Sequence, residues 1–238
     1  MITLRAATER HRERRSKRTA WYSFRNMAST DVYSYGFGAL ERFDEYHLDI
    51  GASILLRPPR TVEIITYVVE GEVHVRESTR VRGSLQAGEF QRWSGEGASQ
   101  RQTNASRSAT TRVFHLWFRH DARVASALLE QKRFSTAERR GELRVVAAHD
   151  GRSGSHRVHS DVLVYSAIIE AGQHLVHELG PRRSAWLHVV DGEALLPEAR
   201  LRAGDAASFT LERAVSLTAK VASELLLVEL AHLRPAGP

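Results

Sequence analysis

A chain of 238 residues fits one large or two small domains at about 100–200 residues each, and 42% hydrophobic with 26% charged residues is an ordinary globular composition. It has no apolar run of the ~18 residues that crosses a bilayer, and the absence of cysteine removes disulfides, thiolate metal sites and thiol nucleophiles. The N-terminus also lacks the apolar stretch of roughly 7–15 residues that a secretory signal needs, so the expected location is cytoplasmic.

The net charge of +6 is concentrated at the start, where residues 1–20 hold seven basic and two acidic side chains. They read as a basic arm, solvated and partly mobile. No helix-turn-helix, zinc-finger or aromatic RNA-binding signature accompanies the charge, so contact with a polyanion is expected to be weak, salt-sensitive and independent of sequence.

Beyond residue 20 the apolar pattern has period two. Val62–Val69, Arg112–Phe118 and Val162–Ile169 are short, rich in β-branched and aromatic residues, and separated by turn residues, which predicts an all-β chain. Asp121–Arg133 is the one stretch with helical spacing, carrying Val124, Leu128 and Leu129 on one face, and is expected to form a short connecting helix ahead of the polar segment Ser135–Leu143.

Two short motifs recur in order. Val68-Val69-Glu70-Gly71-Glu72 returns as Val189-Val190-Asp191-Gly192-Glu193, and Leu85-Gln86-Ala87-Gly88-Glu89 as Leu201-Arg202-Ala203-Gly204-Asp205. Ordered recurrence at a nearly constant offset predicts duplication. The expected organisation is the arm over 1–20, a first β-barrel over 21–134 and a second over 135–238.

These motifs resemble the two signatures of the cupin superfamily, and the wider pattern is similar to the pirin family of bicupins. Tyr22-Ser23-Phe24, Gly36-Phe37-Gly38-Ala39-Leu40, Val62–Gly71, Ala87-Gly88-Glu89-Phe90-Gln91, Glu130–Phe134 and Gly154–Asp161 carry that resemblance. It implies two tandem cupin-type barrels. It also implies, for metal-bearing pirins, an iron-like ion held by a His-Pro-His segment before the Glu-Ile strand and a His-x-Glu pair after Ala-Gly-Glu-Phe.

This chain departs from that ligand set. The first segment reads Arg57-Pro58-Pro59, and the second places Gln100 and Gln102 where the resemblance puts His and Glu, with Asn104 retained. A guanidinium repels a divalent cation, proline has no ligating side chain and carboxamides are weak neutral donors, so no metal cofactor is expected. The second barrel's His174 and His177 are three apart, which on a strand turns them to opposite faces.

The function expected from these residues is that of a metal-free binding or regulatory protein rather than an oxygenase. Arg57, Gln100 and Gln102 would face the vacated position in the N-terminal barrel and accept a small anion, beside Pro59, with Phe24 and Trp117 as apolar walls. Glu63 reads as an ion-pair partner of Arg57 or as a strand-end charge. The alternative is a cofactor-independent enzyme using the same cavity, with Glu63 or His115 for acid–base work. The resemblance leaves room for a protein partner, and two barrels in one chain favour a monomer.

Overall fold

The computed structural model describes residues 1–24, 35–78, 81–94, 98–120 and 128–231. Strands dominate it. The chain separates into two compact units, one made of Arg10–Gly36 and Leu40–Phe134 and the other of Met1–Glu9, Phe37–Ala39 and Ser135–Pro238.

In the first unit a seven-stranded sheet runs in the order Leu128–Arg133, Glu89–Ser94, Val62–Glu70, Thr111–Arg119, Leu40–Leu48, Arg18–Tyr22 and His11–Arg15. A four-stranded sheet of Ser53–Leu56, Gln100–Asn104, Glu72–Glu77 and Val81–Gln86 supplies the other wall. Alternate residues of both sheets meet in one apolar cluster that includes Ile54, Leu56, Ile64, Val68, Val73, Val75, Trp93 and Val113. The second unit repeats this plan, with a seven-stranded and a four-stranded sheet around a cluster that includes Leu175, Leu187, Val189, Leu217, Leu225 and Leu227.

The duplication has a physical basis in the turns. Gly71 and Gly192 both take positive φ, +79° and +84°, and a methyl group on either would strike a neighbour, Thr111 in one unit and Ala222 and Ser223 in the other. Gly88 N–H donates to the Val68 carbonyl at 2.9 Å, as Gly204 N–H does to Val189 at 2.8 Å. The repeated motif is thus one hairpin closure used twice.

Two expectations are corrected. Leu128–Arg133 is a strand, not a helix: it adds to the edge of the large sheet by antiparallel pairing with Glu89–Ser94, and residues 121–127 lie outside those described. Ladder hydrogen bonds on an open edge outweigh a weak helical spacing. The helix that the described residues do contain is Thr136–Arg139, opened by a capping box between Ser135 and Glu138. No described helix is long and apolar enough to cross a membrane.

Residues 1–20 are not a free arm. Ile2–Arg5 pairs with Ala206–Phe209 in the second unit, and His11–Arg15 and Arg18–Tyr22 are the last two strands of the first unit's large sheet. Arg10 is buried, with its Nη1 2.8 Å from Glu45 Oε2. The charge count hid these strands because net charge carries no pairing information, whether the partner is the next strand, as for His11–Arg15, or lies far along the chain, as for Ile2–Arg5.

Candidate functional site

The inward face of the first unit's large sheet carries one polar row. Register pairs Gln91 with Thr66, Thr66 with His115, His115 with Asp44 and Asp44 with Tyr22, so one residue from each of five adjacent strands falls in line across the barrel. The row beside it is Trp93, Ile64, Trp117 and Arg42. These residues share a parity on their strands, and that parity faces the core.

Gln100 and Gln102 project from the opposite sheet, both fully buried. Gln102 Nε2 donates to Thr66 Oγ1 at 3.2 Å and to Gln100 Oε1 at 2.8 Å, while its Oε1 lies 2.9 Å from His115 Nε2. The network therefore joins the two sheets through the barrel. Because Gln102 Oε1 can only accept, His115 Nε2 carries the proton. His115 Nδ1 and Gln100 Nε2, at the two ends of the chain of bonds, have no hydrogen-bond partner among the described residues, and neither do Gln91 Oε1, Trp93 Nε1 and Trp117 Nε1. Buried polar atoms without protein partners are uncommon, and five of them gather around this one interior.

Electrostatics fix the protonation of this cluster. Burial, with the charge of Arg42 adding to it, pushes the His115 imidazole down to about 3. Burial also lifts the Asp44 carboxyl above its ordinary range, although the Arg42 guanidinium is hydrogen-bonded to it. Arg42 stacks over the Trp117 ring at 4.3 Å, and the Tyr46 ring lies 5.2 Å from that of His115.

The expected site residues divide. Gln100, Gln102 and Trp117 come together in the barrel interior. Arg57 does not: Ile54, Leu56 and Pro58 point inward, which turns Leu55, Arg57 and Pro59 to the exposed face. Glu63 is fully buried on the sheet's other face, 3.1 Å from Arg92, so it is neither the partner of Arg57 nor a surface charge. Phe24 is buried but lies outside the apolar cluster of the barrel interior. Asn104 is structural; its amide donates to the Leu48 and Ala109 carbonyls and its oxygen accepts from Ser106 N–H and Thr111 Oγ1. In the second unit His177 Nε2 lies 2.7 Å from Glu229 Oε2, while His174 is exposed and hydrogen-bonds Thr218.

Sequence reading missed Thr66, Gln91, Arg42, Asp44, Tyr46 and Glu77. Glu77 is buried on the inward face directly opposite Gln100. The signal was a polar residue interrupting an inward apolar alternation, as in Ile64-x-Thr66-x-Val68.

These residues do not suit a transition metal. Two carboxamides, a hydroxyl and a neutral imidazole bonded to one of the amides make a poor donor set, the inward carboxylate of Asp44 is taken by Arg42, and even with Glu77 no three His, Asp or Glu among the described residues converge as ligands.

Comparison with known proteins places this barrel in context. Residues 5–118 match the family model described as Pirin, and residues 145–230 the one described as Quercetinase C-terminal cupin domain. The chain is 29% identical over 231 residues to an Escherichia coli protein named quercetin 2,3-dioxygenase, covering 97% of this chain and 99% of that one. The Pseudomonas aeruginosa protein PA1210 is 31% identical across 82% of this chain and 84% of its own. Among solved structures, YhhW from Escherichia coli superposes with a TM-score of 0.88 at 27% identity over 99% of this chain and 100% of that one, and its nickel(II) complex with 0.86 over 98% and 100%. Two barrels closed by the same hairpin, matched over four fifths or more of the chain by each of these relatives, establish that the chain belongs to the pirin family of bicupins.

Proposed function

We propose that this pirin is a metal-free binding or regulatory protein whose N-terminal barrel takes a small polar ligand without oxidising it. The observation that carries the reading is the network of Gln102, Gln100, Thr66 and His115, in which Gln100 and Gln102 stand where the resemblance puts the His and Glu ligands of metal-bearing pirins, and which ends in an available donor, Gln100 Nε2, and an available acceptor, His115 Nδ1. A molecule presenting a carbonyl or carboxylate oxygen to the first and a hydroxyl to the second satisfies both. Hydroxy-carbonyl compounds, of the kind for which the quercetin-named relatives are called, have that pattern. An anion inside the barrel would owe nothing to Arg57, which faces outward.

Acid–base catalysis without a cofactor is the weaker reading. An imidazole whose pKa is pushed down to about 3 is neutral at physiological pH but a poor proton acceptor there, and Glu63 is tied to Arg92 away from the interior.

The test combines elemental analysis of the purified protein, a flavonol oxidation assay and calorimetric titration with quercetin and with a small hydroxy acid. Substoichiometric transition metal, no turnover and saturable binding that falls about tenfold or more in Gln100→Ala are expected, a loss on the scale of one buried hydrogen bond. Stoichiometric metal with turnover would overturn the reading.

A further inference from the structure

The outward face of the first unit's four-stranded sheet holds a second, independent feature. Register places Arg101 directly opposite Leu55 on one side and Arg76 on the other, so two guanidiniums stand side by side on neighbouring strands. Arg57 follows Leu55 by two residues and shares its exposed face, while Ser78 and Ser99 close the end of the row, tied by a 3.0 Å bond from Ser78 N–H to the Ser99 carbonyl. Together these residues line a surface groove of about 260 Å³.

Like charges directly opposite on a sheet repel, and such pairs are ordinarily separated or neutralised by a carboxylate. Here Arg57, Arg76 and Arg101 form no ion pair with any described residue. The nearest acid on the same strand is Glu77, which borders the groove but whose side chain is buried on the inward face. Arg101 Nη1 is held at 3.0 Å by Ser53 Oγ, which fixes one guanidinium while leaving its other donors available. Three planar forks and two serine hydroxyls around one concavity match a tetrahedral oxyanion, since each guanidinium can offer paired N–H donors to two of its oxygens.

We propose that the groove of Arg57, Arg76 and Arg101 is a binding site for a phosphate group, free or carried on a small phosphomonoester. The site is distinct from the barrel interior: it lies on the opposite face of the strands that carry Gln100 and Gln102, so it stands or falls separately from the ligand reading above. Leu55, 39% exposed and next to Arg101, gives the apolar flank against which the carbon part of a monoester can rest.

Calorimetric titration of the full chain with inorganic phosphate and with glycerol 3-phosphate, at constant ionic strength set by sodium chloride, tests it. Saturable binding is expected for the wild type. Arg101→Gln should weaken it about tenfold or more, and Arg57→Gln and Arg76→Gln should each weaken it severalfold, as the loss of one charge-assisted hydrogen bond predicts. Tighter uptake of glycerol 3-phosphate identifies a monoester site, and equal uptake a site for phosphate itself. Gln100→Ala should leave phosphate binding unchanged, which separates this site from the barrel. Without phosphate, Arg101→Gln should melt no lower than the wild type, because it relieves repulsion. No saturable binding by the wild type, or an equal loss in Arg119→Gln, whose side chain instead pairs with Glu41, would overturn the proposal.

Discussion

His115 and Gln102 face each other across the N-terminal barrel, Nε2 to Oε1 at 2.9 Å, one from each of the two sheets. The bond sets the imidazole tautomer, and burial keeps the ring neutral.

The first prediction concerns pH. The folded pKa of His115 is depressed to about 3, against an ordinary value of about 6.5 in the unfolded chain. Below pH ~6.5 the unfolded state binds a proton that the folded state refuses, so this contribution to stability is full above that pH and is lost as pH falls toward 3. Its slope approaches one proton, about 1.4 kcal/mol per pH unit. Asp44, whose folded pKa is raised, acts in the opposite sense above the unfolded carboxyl value near 3.9. Urea denaturation from pH 7.5 to 5 should show a steeper acid loss in the wild type than in His115→Gln, which keeps a donor for Gln102 without titrating. Parallel curves would show that His115 is not the group.

Rebuilding the metal site tests the role of the outward-turned segment. Gln100→His with Gln102→Glu places two ligands on the inward strand but leaves Arg57 and Pro59 on the exposed face, so this double variant should take up nickel weakly and be stripped by brief chelation. Adding Arg57→His and Pro59→His removes a cation but sets both imidazoles on the exposed face, away from residues 100 and 102, so the fourfold variant should also lose its nickel on brief chelation. Stoichiometric nickel retained by the fourfold variant through gel filtration would show that the first segment turns inward once it carries ligands. Full loading of the double variant would mean that the first segment is dispensable.

The parts of this molecule legible in the sequence are those set locally. Gly71 and Gly192 announce the same hairpin because only glycine adopts the turn without a clash, and Gln100 and Gln102 stand out because the resemblance puts His and Glu at their positions. What could not be read depends on register and on distant partners. Parity says that Thr66, His115 and Asp44 face one side, but only the pairing of Thr66 with His115 and of His115 with Asp44 makes them one row. Arg57 was misplaced because a family position was carried over without the alternation of Ile54, Leu56 and Pro58. Leu128–Arg133 resembled a helix because Leu128 and Leu129 fit either period.

The N-terminal segment supplies a third prediction. Arg10 and Glu45 side chains are 3% and 6% exposed and form a 2.8 Å ion pair, with Arg112 also 2.8 Å from the same carboxylate. Removing one member of a buried pair ordinarily costs about 3–5 kcal/mol. Arg112 remains to neutralise Glu45, so Arg10→Ala should cost less, about 2 kcal/mol, whereas Arg14→Ala on the exposed face of the same edge should stay within ~0.5 kcal/mol. Deletion of residues 1–18 removes a strand from each unit and should lower the melting temperature sharply. A truncated chain that melts like the wild type would restore the picture of a dispensable arm.

The duplicated hairpins give the last prediction. Gly71 and Gly192 combine positive φ with no room for a methyl group, whereas Gly88, at φ +84°, and Gly172, at φ +79°, have nothing within 4 Å of an added Cβ. The left-handed conformation alone costs an alanine roughly 1–2 kcal/mol. Gly88→Ala and Gly172→Ala should therefore lose about that much. Gly71→Ala must also displace Thr111, whose hydroxyl is hydrogen-bonded at 2.9 Å to Asn104 Oδ1, and Gly192→Ala must displace Ser223, whose hydroxyl accepts from Glu193 N–H at 2.9 Å. Breaking those bonds adds about 1 kcal/mol or more on top of the backbone strain, so both variants should fall well below their open-turn counterparts in guanidinium melts. Gly71→Ala no less stable than Gly88→Ala would show that the clash relaxes freely and that glycine recurs there for its backbone angle alone.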